Sequence, residues 1–429
     1  MQLHQAEQTS LTKEQKEAVG LLSIGTFLEY FDLMLYVHMA VLLNELFFPK
    51  TDPFTASLLS AFAFCSTYFF RPFGALLFGY IGDSIGRKHT VIITTFFMFL
   101  SCLIMANLPT YAEIGIIASW CMLGCRMLQG ISSMGEVVGA LIYLTELLPL
   151  PTRHRIVPII PLVAALGGFG ALAVASLINL MGISWRVCFW LGCFVAIIGV
   201  ISRTALRETP EFVDATKRIK KIGGDLKLFK QYKKQNKSIM ALFCLECMWP
   251  LCFYFSFIYC GDILKNNFNY SSIEVINQNF IVGFFTIIGC SVRVVLSQRI
   301  HPLIILKYTL IISTIIFILC PIIFINISSP YAIGLVQILV VLFAADVKFA
   351  ASSIYSHFPV LQRFKATSLL YALSRTITYF ITSFGLIYII DIIGNFGITL
   401  IMLIGSMLSG YGLSHFLALE KKSEVTDLS

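Results

Sequence analysis

The chain has 429 residues, of which 57% are hydrophobic, 14% aromatic and only 13% charged, and its mean hydropathy is +0.83. This charged fraction is about half that of soluble domains, so the composition excludes an ordinary soluble enzyme or binding domain. Each membrane-spanning helix needs roughly 20 apolar residues, and a chain of this length has room for about twelve.

The apolar segments form two groups of six, separated by one long polar stretch with 10 Lys or Arg against 4 Asp or Glu. The N-terminal residues are polar and mixed in charge, which does not fit a cleavable signal peptide. We therefore predict five parts in chain order: a cytoplasmic tail (1–17), a six-helix bundle (18–205), a cytoplasmic central loop (206–237), a second six-helix bundle (238–418) and a cytoplasmic tail (419–429).

The distribution of basic residues predicts the orientation. One set of connections, with the two tails, contains 21 Lys and Arg residues, whereas the alternate connections contain Lys50, Lys265 and Arg186. By the positive-inside rule the side with 21 is cytoplasmic, so both termini are expected there. The net charge of +8 then reflects topology and contact with anionic lipid, and gives no reason to expect a nucleic-acid partner.

An internal repeat relates the two groups of helices. The segments "ELLPLPTRHR" and "SHFPVLQRFK" place Pro149 and Pro359 four residues before an Arg, at an offset of 210. The same offset relates Glu136 to Asp346. Parallel repeats about an axis normal to the membrane are a transporter architecture, with the substrate site near the midplane between the halves.

Ionisable residues inside the apolar segments predict where that site lies. Such side chains are costly in a bilayer and usually mark substrate or proton paths. Glu29 and Asp32 share one face of helix 1. A polar stripe follows one face of helix 4 and consists of Arg126, Gln129, Ser133 and Glu136. We expect these acids and Arg126 to exchange a proton and line the cavity; the alternative is a static ion pair fastening helices 1 and 4.

The second half supplies further candidates. Asp346 and Arg375 are expected to pair across helices 10 and 11 and to line the cavity; an Arg375 left without that partner would instead favour a carboxylate substrate. Glu246 in helix 7 has two alternatives, the cavity or the membrane interface. An aromatic box for a quaternary ammonium group is also considered, with packing as the default for its members Tyr36, Tyr68, Trp249 and Tyr254.

The connection between helices 2 and 3 carries a distinctive motif, "GYIGDSIGRK". It resembles the signature loop of the major facilitator superfamily, G-x-x-x-D-x-x-G-R-[RK]. The resemblance implies a cytoplasmic ionic latch that favours one access state; the alternative is a solvated turn. The implied gating residues are Gly79, Asp83, Gly86, Arg87 and Lys88. In the corresponding loop before helix 9, "LSQRIHP" has Gln298 where the family has an acid, so a second latch is not expected.

Segments elsewhere resemble the metabolite:H⁺ symporters of that superfamily, which include proline/betaine transporters. They are "GTFLEYFDLMLY", "RPFGALLFGYIGD", "CRMLQGISSMGE", "TELLP", "SWRVCFW" and "LRETPEF". The resemblance implies an all-α major facilitator fold with 12 transmembrane helices in two pseudo-symmetric halves. It also implies a monomeric proton symporter of the bacterial inner membrane, with a proline- or betaine-like zwitterion as the favoured substrate.

Alternatives to this function remain open from the sequence. The substrate could be a carboxylate such as a di- or tricarboxylate or a shikimate-like acid, and a different class is a transporter-derived receptor that senses its substrate. The 12 cysteines are scattered singly and there is no GxSxG or HExxH motif, so neither an enzyme, a metal site nor a cofactor is expected.

Overall fold

The computed structural model describes residues 11–84, 87–133, 136–204, 236–325, 329–394 and 396–428. Regular secondary structure in these ranges is helical throughout. Ten helices are long and apolar enough to cross a membrane, and two shorter apolar helices cover Ile93–Asn107 and Arg186–Gly199. The protein is thus a multi-pass membrane protein with twelve spanning helices, numbered α1–α12 below, as the sequence predicts.

The N-terminal half consists of α1–α6. Their bounds are α1 Lys13–Phe47, α2 Pro53–Ser84, α3 Arg87–Asn107, α4 in the segments Tyr111–Ile114, Ile116–Ser132 and Glu136–Leu147, α5 in the segments Thr152–Ile156 and Ile159–Leu180, and α6 Arg186–Thr204. An even number of spans puts both chain ends on one side of the membrane. We call that side the terminal face and the opposite side the distal face.

The C-terminal half consists of α7–α12, several of which change helix type along their length. Their bounds are α7 Asn236–Glu246, Met248–Tyr254, Phe255–Tyr259 (π) and Cys260–Phe268, α8 Ser272–Leu296, α9 Pro302–Ile325, α10 Pro330–Phe343 followed by Val347–Ala350 (3₁₀), Ala351–Ile354 and Tyr355–His357 (3₁₀), α11 Val360–Phe380, Ile381–Gly385 (π) and Leu386–Ile393, and α12 Phe396–Leu428.

Helices extend beyond the apolar segments at both ends of the chain. α1 begins at Lys13 because Thr12 and Gln15 cap it reciprocally, with hydrogen bonds of 3.2 and 3.0 Å between side chains and backbone N–H groups. α12 continues to Leu428, ten residues past the apolar run. Hydropathy detects the part of a helix that lies in lipid, whereas a helix can continue into water. Most of the expected central loop, 206–235, lies outside the described residues.

The helices of each half pack closely, and the halves meet through two helix pairs. α1 packs on α5, α3 on α6, and α7 on α12; the halves contact each other mainly through α5 with α8 and α2 with α11. α2 and α4 approach each other through glycines, because a Cβ at Gly130 would collide with the backbone of Thr67 and one at Gly74 with that of Ile131. Small residues at helix contacts are the usual means of close approach in membranes.

Described residues of α4 and α10 leave helical geometry at Ser133 and at Ala344, respectively. The middle segment of α4 ends at Ser132, with Ser133 at ψ 49°, and the last segment begins at Glu136. The first segment of α10 ends at Phe343, with Ala344 at ψ 124°, and the chain resumes helical structure after Asp346. Asp346, which the sequence repeat relates to Glu136, ends the non-helical stretch of α10.

Candidate functional site

A cavity lies between the two halves. It encloses about 790 Å³ of empty space, including the part that is open to solvent, and its walls come from α1, α2, α5, α7, α8, α10 and α11. Apolar side chains form most of the lining. The polar and charged residues in it are Tyr30, His38, Tyr68, Arg71, Thr286, Asp346, Lys348, Tyr371, Arg375 and Tyr379.

The interruption in α10 places a charged pair in this cavity. Asp346 Oδ1 accepts the backbone N–H of Lys348 at 3.1 Å, and its Oδ2 lies 3.2 Å from Lys348 Nζ. Both side chains are only 3% exposed. The carbonyl of Leu342, at the end of the first segment, accepts a hydrogen bond of 2.8 Å from Arg293 Nη2. Non-helical backbone is tolerated at membrane depth where it lines a cavity or is buried in protein, and α10 fits that rule.

The expected pair of Asp346 with Arg375 is wrong. Arg375 Nη1 donates to Glu246 Oε2 at 2.9 Å, and Tyr355 donates to the other oxygen of Glu246 at 3.3 Å. The Arg375 guanidinium also lies 3.4 Å from the centroid of the Tyr371 ring. α7 packs beside α11, which brings Glu246 to Arg375, while the interruption of α10 lets Lys348 turn back to Asp346. Glu246, at 1% exposure, is therefore buried rather than placed at the interface.

The polar stripe of α4 divides into two parts. Arg126 Nη1 donates to Gln129 Oε1 at 2.7 Å, and both side chains are fully buried. The Arg126 guanidinium lies 3.8 Å from the centroid of the Tyr36 ring on α1. Ser133 instead lines a side pocket of about 240 Å³. Glu136 begins the last segment of α4, and its side chain is outside the described part.

The two acids of α1 lie in different surroundings. Glu29 lines the side pocket, which shares Tyr30, Arg71 and Tyr371 with the main cavity. Asp32 is directed toward α6, because a Cβ at Gly192 would lie 3.2 Å from Asp32 Oδ1. A spacing of three residues leaves the side chains about 60° apart around a helix, and α1 is surrounded by neighbours. The structure thus does not bring Glu29 and Asp32 to one site.

Two cavity cations received no role from the sequence reasoning. Arg71 lines both the main cavity and the side pocket, and its guanidinium lies 4.6 Å from the Tyr68 ring centroid. Its Nε has no hydrogen-bond acceptor among the described residues. Lys348 is the second. Each is a lone basic residue within an apolar segment, and that signal alone could have identified them.

The considered aromatic box is only partly present. Tyr68 and Trp249 line the cavity. Tyr36 lies under Arg126, and Tyr254 packs against Phe64 with ring centroids 5.9 Å apart. Tyr36 and Tyr254 are therefore packing residues in this structure.

The expected gating loop falls mostly outside the described part. Gly79 lies within α2, which ends at Ser84, and α3 begins at Arg87, so the connection is at the terminal face. Gly86 and the side chains of Asp83, Arg87 and Lys88 lie outside the description, so the latch stays a prediction. Across the described ranges, no cluster of three His, Cys, Asp or Glu residues is arranged to hold a metal.

Comparison with known proteins decides the family. Residues 22–361 match the Major Facilitator Superfamily. The chain belongs to this superfamily. Its relatives include a proline/betaine transporter of Salmonella typhimurium, 31% identical over 60% of this chain and 54% of that protein. Another is the inner membrane metabolite transport protein YhjE of Escherichia coli, 34% identical over 51% of each. The chain thus spans about half the length of the curated relatives it matches.

Solved structures agree with the major facilitator fold. The proton:xylose symporter XylE bound to 6-bromo-6-deoxy-D-glucose superposes with a TM-score of 0.75 at 15% identity, over 94% of this chain and 95% of that one. The partially occluded inward-open form of XylE from E. coli gives 0.70 at 15% identity, over 95% and 98%. This likeness shows the twelve-helix architecture, and the family is one of transporters rather than enzymes.

Proposed function

We propose that this major facilitator protein is a proton-coupled symporter of a small zwitterion of the proline or betaine type. The observation that carries the proposal is a cavity between the halves that contains buried charges of both signs: Arg71 from the N-terminal half, and Asp346 with Lys348 at the interruption of α10. A zwitterion needs an acidic and a basic group on the protein. Two relatives with the corresponding names, from Salmonella typhimurium and Dickeya dadantii, support the same class.

The charge distribution favours a zwitterion over a carboxylate. A carboxylate substrate would need an Arg375 without a partner, but Glu246 already binds that residue. Asp346 would repel a second substrate carboxylate. Arg71 lines the cavity, and its Nε has no acceptor among the described residues, so it can hold the single carboxylate of a zwitterion.

Glu29 is our first candidate for the coupling proton. Its side pocket adjoins the main cavity and also contains Arg71. Burial favours the protonated form of a carboxyl group and a nearby cation favours the charged form, so movement of Arg71 between access states would bind and release H⁺. We also propose that the proton pathway includes the other polar residues of α1 and α4, namely Asp32, Arg126, Gln129 and Glu136.

The remaining features of the proposal concern topology and assembly. We place the protein as a monomer in the inner membrane of a bacterial cell. Its two bundles, 18–205 and 238–418, span the membrane, and both termini and the loop 206–237 that joins the bundles lie in the cytoplasm. We also propose Asp83 with Arg87 and Lys88 as the gating latch. A substrate-sensing receptor is the alternative of another class, and exchange of labelled substrate across the bilayer separates it from a transporter.

The test uses proteoliposomes and labelled proline and glycine betaine. Glu29→Gln, Asp32→Asn and Glu136→Gln are measured separately, with Glu113→Gln at the exposed start of α4 as a matched control. Loss of uphill accumulation on a pH gradient with retained counterflow supports proton coupling at that residue. If all three variants concentrate substrate like the parent, coupling through these acids is refuted; if the parent shows neither activity with either substrate, the proposed substrate class is refuted.

A further inference from the structure

We propose that Asp346, Trp249 and Tyr30 form a subsite for the positively charged ammonium group of the substrate, and that Lys348 occupies this subsite when no substrate is bound. The proposal rests on the proposed transport function and extends it by assigning a recognition site. It concerns a residue pair at the interruption of α10 that lines the cavity. The ligand class is a primary or quaternary ammonium ion.

The position of the Lys348 ammonium carries the argument. Its Nζ lies 3.2 Å from Asp346 Oδ2, 5.3 Å from the centroid of the Trp249 ring and 5.8 Å from that of Tyr30. All four side chains line the cavity. A carboxylate beside two aromatic faces within about 6 Å is the arrangement that proteins use to bind quaternary ammonium ligands. Lys348 therefore already places an ammonium ion in such a site.

Lys348 is held in a way that allows displacement. Its charged contact is with the single carboxylate of Asp346, and its stem is a flexible chain of four carbons. Arg375, by contrast, is fixed by Glu246 and also donates to Ser374 Oγ at 3.2 Å and to the carbonyl of Tyr371 at 3.3 Å. Of these two buried ion pairs among the described residues of this half, Asp346 with Lys348 is the one that a ligand can open.

Charge balance makes the exchange specific for a zwitterion. When the ammonium of a zwitterion replaces Lys348 at Asp346, the freed lysine shares the substrate carboxylate with Arg71, which lines the same cavity. The number of buried charges of each sign then stays matched, which avoids the cost of an unpaired ion in low dielectric. A dicarboxylate has no ammonium group to take the place of Lys348, so a lysine drawn away to a substrate carboxylate would leave Asp346 unpaired. The ammonium group of Lys348 thus occupies the position that the ammonium group of the substrate takes when it binds.

The test is chemical rescue of Lys348→Met in the purified full-length protein. Removing the ammonium leaves Asp346 unpaired, so the variant should melt below the parent. Tetramethylammonium chloride should raise its melting temperature by a few degrees in a saturable manner, relative to sodium chloride at equal ionic strength, because a ligand that binds only the folded protein stabilises it. The parent should respond much less. The matched control Asp346→Asn with Lys348→Met should not respond.

Two results would overturn the proposal. The first is that Lys348→Met gains no more stability from tetramethylammonium than from sodium. The second is that the double variant gains as much as the single one. If Lys348→Met does not fold, Lys348→Gln is used in its place, because the glutamine amide can still donate a hydrogen bond to Asp346. Failure of both single variants to fold with or without the cation, while the double variant folds, also contradicts the proposal, since a free cation would then be unable to replace Lys348.

This experiment is separate from the test of transport. Rescue without any transport of labelled zwitterion would leave the subsite standing and refute the proposed function. Transport by the parent without rescue of Lys348→Met would leave the function standing and refute the subsite.

Discussion

Glu146 and Arg363 join the two halves of the protein at the terminal side of the cavity. Arg363 Nη1 donates to Glu146 Oε1 at 2.8 Å, and the side chains are 9% and 6% exposed, respectively. Close by, His154 Nδ1 and Ser352 Oγ share a hydrogen bond of 2.8 Å, again between the halves. For a substrate to leave the cavity on this side, these contacts have to break. The Glu146–Arg363 pair is thus positioned to stabilise closure of the terminal side.

We predict that Glu146→Gln favours the state that is open at the terminal face. The reporter is Gly139→Cys, since a Cβ at Gly139 makes ordinary contact with Phe364 across the halves at 3.5 Å. In a Cys121→Ser background, which removes an exposed native thiol, Glu146→Gln should increase the rate of maleimide labelling at position 139 several-fold. An unchanged rate would mean that the pair does not control closure.

A second contact between the halves, at the distal face, stabilises closure of the cavity on that side. Glu45 at the end of α1 accepts hydrogen bonds from Lys265 of α7, at 2.6 Å, and from Ser272 of α8, at 2.7 Å. This pair is substantially exposed, so it contributes less than the buried one. Lys265→Gln should weaken closure at the distal face and reduce labelling of Gly139→Cys. A rate that rises instead would show that the two contacts are not on opposite sides of one equilibrium.

The distal contact should resist mild acid. Burial tends to raise the pKa of Glu45, but hydrogen bonds from Lys265 and Ser272 and the charges of Lys265 and Lys50 outweigh burial and lower that pKa below its usual 4.5. A depressed pKa means that the contact is fully formed above the usual value and is lost as the pH falls through the lowered one. Labelling at position 139 should therefore stay constant from neutral pH to about 5 as far as this contact is concerned. Glu45→Gln, which cannot titrate, is the control; a parent-specific change already near pH 6 would contradict the prediction.

The fold was accessible from the sequence because lipid imposes a simple rule. Backbone groups in hydrocarbon have to bond within the helix, so each crossing requires a long apolar segment, and these segments are visible in the residue pattern. The repeat that relates Glu136 to Asp346 indicated two related halves, but it did not predict the interruption of α10. Helix ends such as that of α12 were less accessible, since a helix can continue into water without an apolar signature.

The site was only partly accessible, because residue spacing gives the face of a helix but not the neighbour it meets. The sequence offers two intramembrane acids, Glu246 and Asp346, as partners for Arg375. Arg375 pairs with Glu246 because α7 packs beside α11. Glu29 and Asp32 separated for the same reason, since Asp32 meets Gly192 of α6 whereas Glu29 lines the side pocket. Pairings of this kind are tertiary facts, and periodicity within one segment does not contain them.

Close approach of α2 and α4 predicts a strong and local requirement for glycine. In Gly130→Ala the new methyl group would collide with the backbone of Thr67, which cannot rotate away as a side chain can. In Gly124→Ala, on the same segment of α4, the methyl group has no neighbour within 4 Å. We expect a clear loss of thermal stability for the first variant and none for the second. Equal melting temperatures of the two purified variants would show that this helix contact is looser than the structure has it.

The pair of Glu246 and Arg375 predicts a specific pattern of rescue among double variants. Glu246→Gln or Arg375→Gln alone leaves an unpaired charge in a buried site, a change that costs about 3 to 5 kcal/mol in general. Glu246→Gln combined with Arg375→Gln removes both charges, and much of the lost stability should return.

The matched comparison is Asp346→Asn with Arg375→Gln, which corresponds to the pairing expected from the sequence. This double variant should be less stable than either single one, because it leaves both Glu246 and Lys348 without their partners. Thermal unfolding of the two double variants and of the single variants Glu246→Gln, Arg375→Gln and Asp346→Asn, all in one detergent, decides between the pairings. Recovery in the Asp346 combination, and none in the Glu246 combination, would contradict the observed geometry.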